Sequence, residues 1–129
     1  MNSDQKARIL LVDDEAAITR LMQTYLTRLG YDVDASFDAT GAFELVKAGS
    51  TPYDLLVADL TLPDMPGQQM ALRMAGQNER LRVLFCSGYP FSVDSLDEKV
   101  QPRCASLLKP FLPNMLAEAI NELLNRTID

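Results

Sequence analysis

The chain has 129 residues, a net charge of −6 and no histidine. That length is enough to bury one core, and 47% apolar with 23% charged residues is the balance of an ordinary globular protein. The acidic balance, with Lys and Arg scattered, argues against nucleic acid as a direct ligand. Without His the chain has no imidazole base, metal ligand or phosphohistidine of its own, and two isolated Cys make a poor zinc site. No apolar run approaches the roughly 20 residues of a membrane span. The opening MNSDQKAR is polar and lacks a secretory apolar core. A cytoplasmic protein without membrane insertion is expected.

In chain order, Ile9–Val12 reads as a short apolar strand. A helical stretch follows, with Ile18, Leu21, Met22, Tyr25, Leu26 and Leu29 spaced for one face and Gly30 as its stop. Asp32–Ser36 is a weaker strand, and Thr40–Ala48 a helix stopping at Gly49. Leu55–Ala58 is uniformly apolar, as in a strand buried on both faces. Asp59 ends that run, Pro63, Pro66 and Gly67 punctuate a loop, and Gln68–Ala75 is helical up to Gly76. Leu81–Cys86 is the fourth strand. Phe91–Val100 is the weakest helical segment, its apolar residues sparse and its Ser, Asp and β-branched content high. Ala105–Leu108 is the fifth strand. Leu112, Met115, Leu116, Ala119, Ile120 and Leu123 mark the last helix, with Pro113 in its first turn.

Five strands alternating with about five helical segments predict a three-layer α/β fold, a parallel sheet with helices on both faces. Cys86 closes one strand and Cys104 opens the next, so they are expected about 17–20 Å apart and reduced.

The functional crevice of such a sheet lies beyond the carboxyl ends of its strands. Those ends carry Asp13 and Asp14, Asp59, Ser87 and Lys109. Singly, Asp59 is a turn residue, Asp14 a cap for a helix starting near Glu15, Ser87 a turn signal before Gly88, and Lys109 a solvated lysine. Together they bring three carboxylates and one ammonium into a single crevice. Two like charges 4 Å apart repel by about 4 kcal/mol at an effective dielectric near 20, and one lysine offsets only part of that. A hard divalent cation such as Mg²⁺ supplies the rest. With a lysine and a hydroxyl opposite, the set suits a phosphoryl group on Asp59 acting as nucleophile.

The motifs VDDE at 12–15, VADLTLPDMPG at 57–67, SG at 87–88 and KPF at 109–111 resemble the receiver domain of two-component response regulators, over about residues 8–127. The resemblance implies one receiver domain with the flavodoxin-like strand order 2-1-3-4-5. It implies that Asp59 accepts a phosphoryl group from a phosphohistidine on a sensor histidine kinase or histidine phosphotransfer protein. Asp14, Asp59 and the Thr61 carbonyl would ligate Mg²⁺, with Asp13 acting through water. Ser87 and Lys109 would each hold a phosphoryl oxygen, and the Lys109–Pro110 bond would be cis. Such a domain is a signalling module that assists its own phosphorylation and dephosphorylation rather than a conventional enzyme.

One position departs from the family. Many receivers place Tyr or Phe three residues before the lysine, where this chain has Ser106, so the usual aromatic switch is missing. Tyr89 is the nearest aromatic on the loop above the site, open to a gating role or to that of a half-buried loop residue. Phe91–Val100 is either the segment that phosphorylation reorders through Ser87 or simply a mobile surface helix.

The alternative function is a receiver-like interaction module without phosphorylation, though such modules generally lack part of the acidic set or the lysine. A flavodoxin would need a hydroxyl-rich first loop, which is acidic here, and a dehalogenase-type phosphatase would need Asp where Thr61 stands. No DNA-binding or catalytic domain follows Asp129, so the chain is read as a free-standing regulator or as a receiver cut from a larger protein. The run VLFCSGYP resembles receivers of hybrid sensor kinases. The output partner has no signature in the sequence.

Overall fold

The computed structural model describes residues 6–128. The elements are β1 (Arg8–Val12), α1 (Ala16–Arg28), β2 (Asp32–Ser36), α2 (Ala39–Ala48), β3 (Leu55–Asp59), α3 (Gly67–Gln77), β4 (Arg82–Ser87), β5 (Cys104–Leu108) and α4 (Pro113–Asn125). All strand pairs are parallel, in the order β2-β1-β3-β4-β5. The expected fold class and strand order are therefore present. No helix among the described residues is long and apolar enough to cross a membrane.

The period-2 alternation of strand side chains divides the core into two layers. Leu10, Val12, Leu56, Ala58, Val83 and Phe85 point to one face, where Ala42 of α2 and Met70, Ala71 and Met74 of α3 cover them. Ile9, Leu11, Leu55, Val57, Leu84 and Cys86 point to the other, against Met22 and Leu26 of α1 and Leu116, Ile120 and Leu123 of α4. β3 is buried at every position because it is the central strand with helices on both sides.

Some boundaries and faces differ from expectation. Gly76 lies inside α3 rather than ending it, while Gly30 has the positive φ of 104° that suits a stop after α1. On α1 the buried residues are Thr19, Met22 and Leu26, leaving Ile18, Leu21 and Leu29 exposed. The apolar spacing there is wider than the strip that β2 and α4 can cover.

Between β4 and β5 no α-helix forms. The connection holds two 3-10 turns, Val93–Ser95 and Gln101–Arg103. Its polar side chains compete with helical bonding. Ser92 Oγ accepts the Asp94 N–H, Ser95 Oγ donates to the Ser92 carbonyl, and Asp97 Oδ1 accepts the Lys99 N–H. Phe91 packs on Phe85 with ring centroids 5.1 Å apart, and Leu96 is buried, so this connection covers the sheet without a helix. At its far end the Arg103 guanidinium donates to the carbonyls of Asn78, Glu79 and Leu81 at 2.9–3.2 Å, just beyond α3.

Both cysteines are free and buried. Cys104 pairs with Val83, three residues from Cys86, which puts the thiols about 10 Å apart along the strands and on opposite faces. That is closer than a full strand length, yet still too far for a disulfide.

Candidate functional site

The site is assembled by strand register. Val12 pairs with Ala58, so Asp13 leaves β1 alongside Asp59 at the end of β3. Ser87 pairs with Leu108, and the Lys109 N–H extends that ladder by donating to the Ser87 carbonyl at 2.7 Å. The Lys109 ammonium therefore arrives over the same end of the sheet. Its Nζ lies 2.8 Å from Asp13 Oδ2, 3.2 Å from Asp59 Oδ2 and 3.9 Å from Glu15 Oε1. Asp59 is 6% exposed, and its Oδ1 accepts the Thr61 N–H at 3.1 Å. One carboxylate oxygen each from Asp13, Asp14 and Asp59 lies within 4.8 Å of the others.

Burial raises the Asp59 carboxyl above the usual carboxylate range, against the pull of the Thr61 N–H. The Asp13 charge adds to the rise and Lys109 opposes it. Burial pulls the Lys109 ammonium down, but its hydrogen bond to Asp13 and the charges of Asp13 and Asp59 outweigh this and hold it above its ordinary value. The negative charge thus exceeds what the one lysine neutralises. An all-oxygen donor set of three clustered carboxylates fits Mg²⁺, which prefers a few carboxylates completed by water and phosphate oxygens.

Of the other predicted residues, Asp14 belongs to this cluster, Ser87 ends the neighbouring strand β4, and Ser106 lies away from the cluster. Asp14 is exposed, and it does not cap α1: the Glu15 N–H donates instead to Asp13 Oδ1 at 3.0 Å. Ser87 is buried, and its Oγ accepts the Tyr89 N–H at 3.0 Å, while Tyr89 itself is exposed. Ser106 is not at the cluster, and its Oγ donates to the Phe91 carbonyl at 3.1 Å. Lys109–Pro110 is cis.

Several contributors were not singled out from the sequence. Thr19, buried on α1, donates to the carbonyls of Asp13 and Glu15 and holds the acidic loop against the helix. A hydroxyl among the apolar positions of that helix was the available signal. Asp64 read only as part of a turn-rich loop, yet it reaches the start of α2. Beside the carboxylates a cavity of about 380 Å³ opens between α1 and α4, its walls including Ile18, Leu21, Lys109 and Phe111.

A parallel sheet in this order, with acidic residues and a lysine gathered at the strand ends, is the CheY-like arrangement. A CheY-like response regulator receiver domain protein from Methanospirillum hungatei has this fold, with a TM-score of 0.81 and 26% identity, over 94% of this chain and 95% of that one. Residues 9–121 match the response regulator receiver domain family, and the chain belongs to it. The response regulator receiver protein CpdR of Brucella abortus is 30% identical over 117 residues, 90% of this chain and 92% of that protein. The transcriptional regulatory protein QseB of Haemophilus influenzae is 32% identical over 123 residues, 92% of this chain. The chain spans about half the length of QseB and of several other curated relatives. Receivers of this family work in two-component signalling by accepting a phosphoryl group on an aspartate, and the match favours that function over an unphosphorylated interaction module.

Proposed function

We propose that Asp59 is the phosphoacceptor and that Asp13, Asp14, Asp59 and the Thr61 carbonyl form the Mg²⁺ site, with Asp13 acting through water. The observation that supports this reading most directly is the buried Asp59 carboxylate, with Lys109 Nζ at 3.2 Å, the Thr61 N–H at 3.1 Å and two further carboxylates beside it. A bound Mg²⁺ would neutralise phosphoryl oxygens and lower the carboxylate repulsion.

In the transfer, an Asp59 oxygen forms the new O–P bond as the N–P bond of the donor phosphohistidine breaks. The departing imidazole keeps the electron pair and takes up a proton. Lys109, held by its bonds to Asp13 and Asp59, is already placed to pair with a phosphoryl oxygen as charge builds on it. Ser87 would contribute its hydroxyl once its bond to the Tyr89 N–H is exchanged. The same groups would assist hydrolysis of the aspartyl phosphate.

The donor in this reading is a sensor histidine kinase or a histidine phosphotransfer protein in the cytoplasm. Exposed Ile18 and Leu21 on one side of the cavity, with Phe111 and Pro113 on the other, offer it an apolar seat within reach of Asp59. Incubation with labelled acetyl phosphate tests the assignment. Wild type should incorporate label only with Mg²⁺, and Asp59→Asn should incorporate none; undiminished labelling of Asp59→Asn would refute it.

A further inference from the structure

Asp64 lies in the β3–α3 loop, three residues beyond Thr61, and its carboxylate spans to a different element. Its Oδ1 accepts the Ala39 N–H at 2.9 Å, and its Oδ2 accepts both the Thr40 N–H at 2.8 Å and the Thr40 hydroxyl at 2.7 Å. These bonds, that of Ala39 foremost, hold the Asp64 carboxyl down at about 2. The start of α2 already has its own cap, since Asp38 Oδ1 accepts the Gly41 N–H at 2.7 Å. Asp64 therefore adds a link between two elements to a helix end that is already capped.

The same helix start is tied to the other acidic loop. The Asp13 N–H donates to the Ser36 carbonyl at 3.2 Å, and Ser36 Oγ donates to the Asp38 carbonyl at 2.8 Å. Residues 36–40 thus touch the loop bearing Asp13 and Asp14 directly and the loop bearing Thr61 through Asp64. At its base the second loop is closed by the Gly67 N–H donating to the Leu60 carbonyl at 2.9 Å and by the pairing of Thr61 with Pro66. Asp64 fastens its tip.

We infer that Asp64 is a positioning residue for the metal site, fixing the loop that carries the Thr61 carbonyl against the start of α2 and so in register with Asp13 and Asp14. This rests on the Mg²⁺ reading above. Groups that orient metal ligands without touching the ion commonly change affinity by about tenfold or more, and a loop carbonyl has no rotamer of its own with which to compensate.

Mg²⁺ titrations followed by amide chemical shifts, with no phosphodonor present, test the inference, and thermal unfolding of each variant accompanies them. Asp64→Ala should raise the Mg²⁺ Kd by about tenfold or more. Asp64→Asn, which keeps an acceptor and loses the charge, should stay nearer wild type than Asp64→Ala. Asp38→Ala removes a cap and a charge from the same helix end, so it should lower Tm while leaving Kd within about twofold. Thr40→Val removes one of the three bonds without changing charge, should shift Kd in the same direction by a smaller factor, and decides the matter if Asp64→Ala does not fold. The inference is overturned if Asp64→Ala and Thr40→Val bind as wild type does. It is equally overturned if Asp64→Asn loses as much as Asp64→Ala, or if Asp38→Ala loses as much affinity. A wild-type protein that binds no Mg²⁺ refutes the metal reading itself.

Discussion

Gly67→Ala is the substitution whose cost can be worked most directly from the structure. A Cβ at Gly67 would lie 1.8 Å from the Asp59 carbonyl oxygen, 2.8 Å from its carbon and 2.9 Å from Leu60 Cα. All three are backbone atoms at the end of the central strand, so no side chain can turn aside to make room. The start of α3 and the end of β3 must part by about 1.2 Å to restore even a 3.0 Å contact. Overpacking in a tight interior costs about 1–3 kcal/mol. Losing the Gly67 N–H bond to the Leu60 carbonyl adds about 0.5–1.5 kcal/mol. A loss of about 2–4 kcal/mol is a large share of the 5–15 kcal/mol typical of a domain, and it corresponds to a Tm lower by about 6–15 °C. Urea unfolding of Gly67→Ala beside Gly76→Ala measures it. A Cβ at Gly76, within the same helix, meets nothing within 4 Å, so that variant should gain up to about 1 kcal/mol. If Gly67→Ala unfolds within about 0.5 kcal/mol of wild type, the close approach does not constrain the strand end as argued.

Lys109→Ala should leave Mg²⁺ affinity unchanged or raise it, because a positive charge leaves the carboxylate cluster, while phosphorylation by acetyl phosphate slows by about tenfold or more; weaker Mg²⁺ binding with normal phosphorylation would reverse the assigned roles. Ser87→Ala should likewise spare Mg²⁺ binding but reduce the beryllofluoride-induced change in amide exchange over residues 88–96. Identical exchange there in wild type, with and without beryllofluoride and Mg²⁺, would show that the connection does not respond to the site. Cys86, whose thiol burial pushes up to about 12, and Cys104, pushed up by burial to about 11, should resist iodoacetamide at pH 8 in the native state and react only after unfolding; rapid native labelling would contradict their burial.

The fold was legible because its evidence is local and repeated. Leu55–Ala58 could only be a strand covered on both faces, and alternation with helical segments made the sheet parallel. Once the strands are parallel, residues far apart in the chain meet at one edge. Asp13, Asp59, Ser87 and Lys109 were therefore readable together, although each alone suggests a turn or a surface charge. Asp64 and Phe91 were not readable in the same way, because what they do depends on contacts between loops. Nothing in PDMPG indicates that its carboxylate ends on Ala39 and Thr40. Nothing in SLL indicates that Ser106 holds the Phe91 carbonyl. The expected helix at Phe91–Val100 followed from the preceding alternation, and it gave way because Ser92, Ser95 and Asp97 satisfy nearby backbone groups themselves.

The guanidinium of Arg103 has a mechanical consequence. It clamps the far end of the connection between β4 and β5, whose middle is already held at Phe91 by Ser106 and Phe85. The clamp gathers the carbonyls of Asn78, Glu79 and Leu81 at the edge of the sheet remote from the carboxylates, whereas the other end begins at Ser87, inside the site. A pull at Ser87 would reach exposed Tyr89 first and meet the anchored Phe91 next. If phosphorylation moves Ser87, a partner contacting exposed Tyr89 would sense the site, whereas contacts to Pro102 and Arg103 would serve as a fixed reference.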